Sequence, residues 1–299
     1  MPLIGLMKLI LRFLDNLAPG TSTPRSVATK FDQSHKHELA EQIYEVLVHN
    51  LSSPSLLSKF TVALPLSRVL LLLIGEHPTP IVASQTLILL GLILNASPSF
   101  NRKFELVSGW SALKVILPPS WDPSVHSAAF DLLLGRVFIV GKTQHSSGSA
   151  KIVCPYILPA ILASLAYGLD RVYSGSMLSP TSVSNGVLSH GTVFSHENYS
   201  VTSAMEVLAE ELVDLHSSAS TFRQLFKSKQ ITSMLIIACE SFITKIYEFP
   251  QARGKAERLI EKITALAAAV AADDSVDDQQ KEQVQTFDAH ASSLPLINL

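Results

Sequence analysis

SPSFNRKFELVSGWSALKVIL, residues 97–117, has an echo in SASTFRQLFKSKQITSMLIIA, residues 218–238. Phe100 falls on Phe222 and Phe104 on Phe226, each pair 122 positions apart, and at the same offset Leu113 meets Leu235 and Val115 meets Ile237. The residues upstream agree as well. Val82, Ala83, Leu87, Leu90 and Ile93 correspond to Ala204, Met205, Ala209, Leu212 and Leu215. Their three- and four-residue steps put each set on one face of an α-helix.

Each unit therefore reads as a long helix, a short helix bearing Phe-x-x-x-Phe and a third apolar helix. A unit of this kind buries its apolar face by stacking on its neighbours, which is the grammar of armadillo or HEAT-like arrays. An irregular helical bundle is the competing arrangement. The expected fold is all-α: a helical solenoid interrupted by one flexible Ser/Gly-rich insertion.

Helical periodicity extends outward from the repeat. In HELAEQIYEVLVHNL, residues 37–51, Leu39, Ile43, Val46, Leu47 and Leu51 recur at helical steps and leave Glu38, Glu41, Gln42 and Glu45 facing outward. Ser55 is a candidate cap for the next helix, which runs through Leu57, Phe60 and Leu64 to an interruption at Pro65. LSRVLLLLIG then stops at Gly75, a plausible C′ glycine. Further helices are expected near 80–96, 99–107, 109–117, 122–140, 201–216, 219–228, 230–248 and 251–272. No stretch shows sustained alternation with a two-residue hairpin turn, so a sheet is not expected.

The remaining segments are set apart by composition. The opening MPLIGLMKLILRFLDNLA carries Lys8, Arg12 and Asp15 and reads as an amphipathic helix rather than a signal peptide. With the linker behind it, it makes residues 1–30 a separate segment ahead of a repeat region over 31–272. HSSGSA, residues 145–150, is a small polar loop, and residues 174–198 have no stable period and read as the flexible insertion. Residues 273–299 form an acidic tail, with six acids against one Lys over 273–290.

Composition excludes several function classes. Charged residues make up 16% of the 299-residue chain, below the roughly 25% of an average soluble domain. Its surface is therefore polar-neutral or covered by something else. A net charge of −2 provides no global field for nucleic acid or for an anionic membrane. Cys154 and Cys239 form neither a disulfide framework nor a metal signature, which favours a reducing compartment. The uncharged run 77–101 contains an apolar stretch, Ile81 to Leu94, too short for the roughly 20 residues a bilayer span requires. It reads as a buried core helix.

WDPSVHSAAFDLLLG, residues 121–135, brings together Ser124, His126 and Asp131, the ingredients of a nucleophile–base–acid set. At about 100° per residue, His126 points away from the other two. Asp122-Pro123 reads instead as an N-cap carboxylate followed by a proline at the first helical position. Val125, Ala128, Ala129, Leu132 and Leu133 then form a buried stripe. Trp110 and Trp121 flank the break at Pro118-Pro119; exposed, they are candidate protein-interaction residues, and buried, they are hinge packing. The ten His show no i,i+4 metal arrangement, and there is no phosphate loop, GxSxG or paired-carboxylate motif. No catalytic residue, cofactor, metal or small-molecule substrate is expected. RGKAERLIEKI, residues 253–263, interleaves opposite charges as a solvated helix face does.

PIVASQTLILLGLILNASPSFNRKFELVSGWSALKVILPPSWDPSVHSAAFDLLLGR, residues 80–136, resembles the armadillo-like region upstream of the BEACH module in large beige/Alfy-type proteins, especially their fungal members. The shared features are the Phe-x-x-x-Phe short helix, the Ser-Gly-Trp turn at 108–110 and the Trp-Asp-Pro at 121–123 leading into Ala-Phe-Asp-Leu-Leu-Leu-Gly. The resemblance implies a non-enzymatic scaffold segment acting in vesicle trafficking, lysosomal or autophagy pathways. Its partners would be other proteins and the remaining domains of a larger chain, including BEACH and WD-repeat modules. It implies a cytoplasmic protein with peripheral association to endomembranes, and it carries no catalytic residues onto these positions. Two alternatives stand beside it: a membrane-surface adaptor using residues 1–14 or 223–262, and an enzyme with a site between repeats.

Overall fold

In the computed structural model the described residues are 33–63, 65–75, 78–136, 151–177, 201–248 and 256–272, together with Gly5, Arg253 and Gly254. They form helices and short 3₁₀ turns, with no strand among them. The chain divides into two units, Met1–Ser146 and Ser147–Leu299. Apart from Gly5, the N-terminal amphipathic segment lies outside the described residues, as do the 145–150 loop and the acidic tail.

The first unit is built on α1 (Gln33–Leu51), α2 (Pro54–Ala63), α3 (Leu66–Ile74), α4 (Pro80–Ala96), α5 (Phe100–Leu106), α6 (Gly109–Ile116) and α7 (Pro123–Leu134). Its axis is α4, the uncharged run that is too short to cross a bilayer. Thr79 caps it, its hydroxyl oxygen accepting from the Val82 amide at 3.3 Å while its O–H donates to Glu41 Oε1 of α1 at 2.7 Å. Helix α4 packs against α1, α2, α3, α5 and α7. Surrounded in this way, it buries residues on several faces, among them Val82, Leu87, Leu89, Leu90 and Ile93. The buried hydroxyl of Thr86 donates to the Val82 carbonyl at 2.7 Å, so its place in the core leaves no orphan donor.

The short helix α5 closes this unit by means of its aromatics. Phe100 and Phe104 are buried with ring centroids 5.9 Å apart, and Trp110 meets Phe104 edge-on at 5.0 Å. The chain turns from α5 to α6 through Ser108, a non-glycine residue at φ +56°. Gly109 then lies directly beneath the Phe104 ring, where a Cβ would fall 2.5 Å from Cζ. Only glycine admits that approach.

Helix α7 begins as the Asp-Pro pair predicts. Asp122 Oδ1 accepts from the amides of Ser124 at 2.8 Å and Val125 at 3.1 Å, with Pro123 at the first helical position. Val125, Ala128, Ala129, Leu132 and Leu133 are all buried. The helix does not reach residue 140. It ends at Leu134 because Gly135 adopts φ +63° and the Gly135 and Arg136 amides turn back to the Leu132 and Asp131 carbonyls, a Schellman closure.

The second unit comprises α8 (Leu158–Met177), α9 (Val201–Ser218), α10 (Ser220–Arg223), α11 (Lys229–Glu248) and α12 (Glu257–Ala271). Helix α8 was not anticipated, and it runs four residues into the stretch expected as the insertion; residues 178–198 lie outside the described residues. Helix α9 packs against α8, α10 and α12. The 122-residue register holds here in burial as well as in sequence. Phe222 and Phe226 are buried like Phe100 and Phe104, with centroids 5.4 Å apart, and Ala204, Met205, Ala209, Leu212 and Leu215 are buried like their counterparts on α4. The register also extends one helix further back: Ala40, Ile43 and Leu47 of α1 match Leu162, Leu165 and Leu169 of α8, all buried.

Three expected boundaries shift for local reasons. Ser55 is not a cap, because the helix starts one residue earlier at Pro54 and the Ser53 carbonyl accepts from the Leu56 and Leu57 amides. Residues 219–228 are not one α-helix: one α-turn, Ser220–Arg223, passes into a 3₁₀ turn, Gln224–Lys227. The last helix begins at Glu257 rather than 251, with exposed Glu257, Arg258 and Glu261 opposite buried Leu259, Ile263, Leu266 and Val270. That interleaved face is the solvated one expected.

Candidate functional site

Ser124, His126 and Asp131 share helix α7 but do not act on one another as a relay. Ser124 is exposed and its hydroxyl donates to Asp122 Oδ1 at 2.6 Å, within the helix cap. His126 is buried, its ring stacked on Trp121 at 5.9 Å and set against Phe130 at 5.0 Å. Asp131 lies 3.5 Å from Arg136 at the other end of the helix. Nothing in this arrangement holds the serine proton against the imidazole.

Both cysteines are free and buried in the second unit. Burial pushes the Cys154 and Cys239 thiols up to about 12, far from the range in which a thiolate acts as nucleophile or metal ligand. No group of His, Cys, Asp and Glu among the described residues is placed to hold a metal ion. No described helix is long and apolar enough to cross a membrane.

The two tryptophans part company. Trp121 is 2% exposed, and its indole N–H has no acceptor among the described residues. It lies in the interior, stacked on His126. Trp110 is half-buried, and its indole donates to Asn101 Oδ1 at 2.8 Å, fastening α6 to the start of α5. Of the pair, only Trp110 retains surface for a partner.

Surface features that sequence reading did not single out are more open. In the second unit a groove of about 450 Å³ runs between α8 and α11, lined by apolar side chains including Leu162, Leu169, Met234, Ile237 and Phe242. Asp170 and Lys245 pair at its rim. Ile237 is 64% exposed and its counterpart Val115 is 73% exposed, so the third helix of each unit presents a β-branched residue to solvent at one register position. The signal was available: Val115 and Ile237 already matched in the repeat. Which face of the third helix lay outward depended on how the neighbouring helices packed.

No protein-family model, curated protein or solved structure matches the chain.

Proposed function

We propose that this chain is a non-catalytic, armadillo-like scaffold segment of a BEACH-type protein, acting through protein–protein contacts in vesicle trafficking, lysosomal or autophagy pathways, on the cytoplasmic side and peripheral to endomembranes. The observation that carries this reading is the repeat. Two helical units keep one 122-residue register in both sequence and burial, and each exposes apolar surface on its third helix. Stacked units of this type present continuous surface to partners. The motifs at 108–110 and 121–135, which carry the resemblance, are spent on a turn beneath Phe104 and on a helix cap, as suits a structural role.

Sequencing the transcript downstream of the Leu299 codon tests the family. A continuation encoding a BEACH module is expected; a stop codon there with no such exon following would remove the reading. Small-angle scattering of the purified chain tests the architecture separately. An elongated particle is expected from stacked units, and a near-spherical one sinks the array.

A further inference from the structure

The short helix of the first unit has an unusual outer face. While Phe100 and Phe104 of α5 point inward, Arg102, Lys103, Glu105 and Leu106 are exposed, and Val107 follows them at the turn. Helix α6 packs against α5 and continues this surface with Ser111 and Val115, one turn apart and both exposed, and with half-buried Lys114. Leu106 and Val115 stand 77% and 73% open to solvent. Glu105 is the one acid from residue 77 to residue 121, against Arg102, Lys103 and Lys114.

A lone exposed leucine needs no explanation. This surface is different because it recurs. In the second unit the matching turn carries exposed Lys227 and Lys229, the third helix exposes Ile237, and the run from 215 to 239 holds three bases and no acid. Arg223, the third base, donates to the His216 and Ser217 carbonyls at the end of α9. In a chain with 23 basic and 25 acidic residues, two stretches that each hold three bases against at most one acid, beside an open apolar side chain at one repeated position, are a local departure from the average.

We propose that the α5–α6 surface, and independently its counterpart at the start of α11, is a contact for an anionic lipid surface. The Lys and Arg side chains would meet headgroup phosphates and carboxylates, and Leu106, Val107 and Val115 in the first unit, or Ile237 in the second, would enter the boundary between headgroups and acyl chains. A protein partner would have to set an apolar patch among acids to meet both features, whereas an anionic bilayer offers headgroup charge and an apolar boundary together at any point of its surface. The surface is independent of the chain's family: it stands or falls whatever sequence follows Leu299.

The test is co-sedimentation of the full chain with phosphatidylcholine vesicles and with mixed phosphatidylcholine–phosphatidylserine vesicles, over a range of salt. Every substituted position is largely exposed, and a thermal melt by circular dichroism verifies that each variant is folded. Binding to the anionic vesicles is expected, weakening as salt rises. Each basic residue near such a surface is worth about five-fold in binding, so Arg102→Glu/Lys103→Glu should weaken it by well over about 25-fold. Leu106→Ser/Val115→Ser should weaken it at every salt concentration, and Lys227→Glu/Lys229→Glu should remove the second unit's share. Failure of the wild-type chain to bind anionic vesicles overturns the proposal, as does binding that none of the variants alters. Capture on immobilised polyglutamate that survives Leu106→Ser/Val115→Ser, with no vesicle binding, also overturns it in favour of an acidic protein partner.

Discussion

Helix α4 has no charged residue along its seventeen positions, whereas α9, at the matching register, carries Glu206, Glu210, Glu211 and Asp214. Both bury the same stripe: Val82, Ala83, Leu87, Leu90 and Ile93 in one, Ala204, Met205, Ala209, Leu212 and Leu215 in the other. They differ in company. Helix α4 packs against five described helices and α9 against three. The shared stripe specifies the unit, and the remaining positions report how many neighbours cover the helix. In α9 the polar face is put to use: Glu210 accepts from Lys262 Nζ at 2.9 Å, tying α12 across it. A helix that is apolar all round and one with a single apolar stripe can therefore hold equivalent places.

If the two units are equivalent, their Phe pairs should be equally indispensable. Phe104 and Phe226 are both fully buried, so Phe104→Ala and Phe226→Ala should each cost about 3–5 kcal/mol of unfolding free energy. The cysteines offer a way to tell the units apart, because both are in the second. Buried and with raised thiol pKa values, they should resist a thiol reagent in the native protein. Phe226→Ala should speed their labelling by about two orders of magnitude or more, at 1.4 kcal/mol per tenfold. Phe104→Ala should leave labelling near wild type. Equal acceleration by both variants would show that the units open together and are not independent modules.

The close glycines give a smaller and unequal effect. At Gly109 a Cβ meets the rigid, buried ring of Phe104, and Gly109→Ala should cost about 1–3 kcal/mol by overpacking. At Gly168 of α8 a Cβ would meet Met205, its Cε at 2.7 Å, but a thioether chain has rotamers to retreat into. Gly168→Ala should therefore cost less than Gly109→Ala, and Met205→Ala should relieve part of that cost in a double-mutant cycle. Additive losses at Gly168 and Met205 would mean that the contact is not what limits the site. At the matching positions of the first unit stand Val46 and Ala83, a larger residue on the first helix and a smaller one on the second.

What sequence alone disclosed follows from which signals are local. Thr79-Pro80 and Asp122-Pro123 act through side chains and φ values within one turn, so both helix starts were legible. The helix expected over 122–140 ran past Gly135, whose positive φ ends it at Leu134. Helix α8 was legible and passed over: Leu158, Ile161, Leu162, Leu165, Leu169 and Val172 recur at three- and four-residue steps and are all buried, with the small Ala160, Ser164 and Gly168 between them. The candidate surface was the least legible part. Trp110 and Trp121 drew notice by residue type, but burial of Trp121 is decided by where α7 folds back onto α4. The exposure of Leu106 and Val115 likewise depends on which faces of α5 and α6 the unit leaves uncovered.

The fourth helix of each unit supplies a finer contrast. Helices α7 and α12 both pack on the central helix of their unit, but α7 has a carboxylate cap and α12 starts at Ala256 with no side-chain cap. Asp122→Ala should therefore bring α7 to the condition of α12, at about 1 kcal/mol, measured by urea denaturation. Asp122→Asn should recover most of the loss, since an amide oxygen accepts the same two amide hydrogens. If Asn is as damaging as Ala, the cap is not the reason Asp122 matters.

The smallest expected effect is also the most discriminating one. Val115 and Ile237 share a register position with each other and helices with the buried pair Leu113 and Leu235. Hydrophobicity alone would rank all four as core. Exposure separates them, because a side chain already in water has little transfer energy to lose. Val115→Ser and Ile237→Ser should change stability by less than about 0.5 kcal/mol. Leu113→Ala and Leu235→Ala should cost about 2–5 kcal/mol, since each removes fully buried methyl groups and leaves a cavity. A large loss at Val115 but not at Ile237 would place Val115 under cover and break the correspondence of the two units at the position where it bears on partner binding. Near-zero changes at both would leave solubility and association as the properties those residues control, and the apolar side chain at this register would then be retained for something outside the unit's own fold.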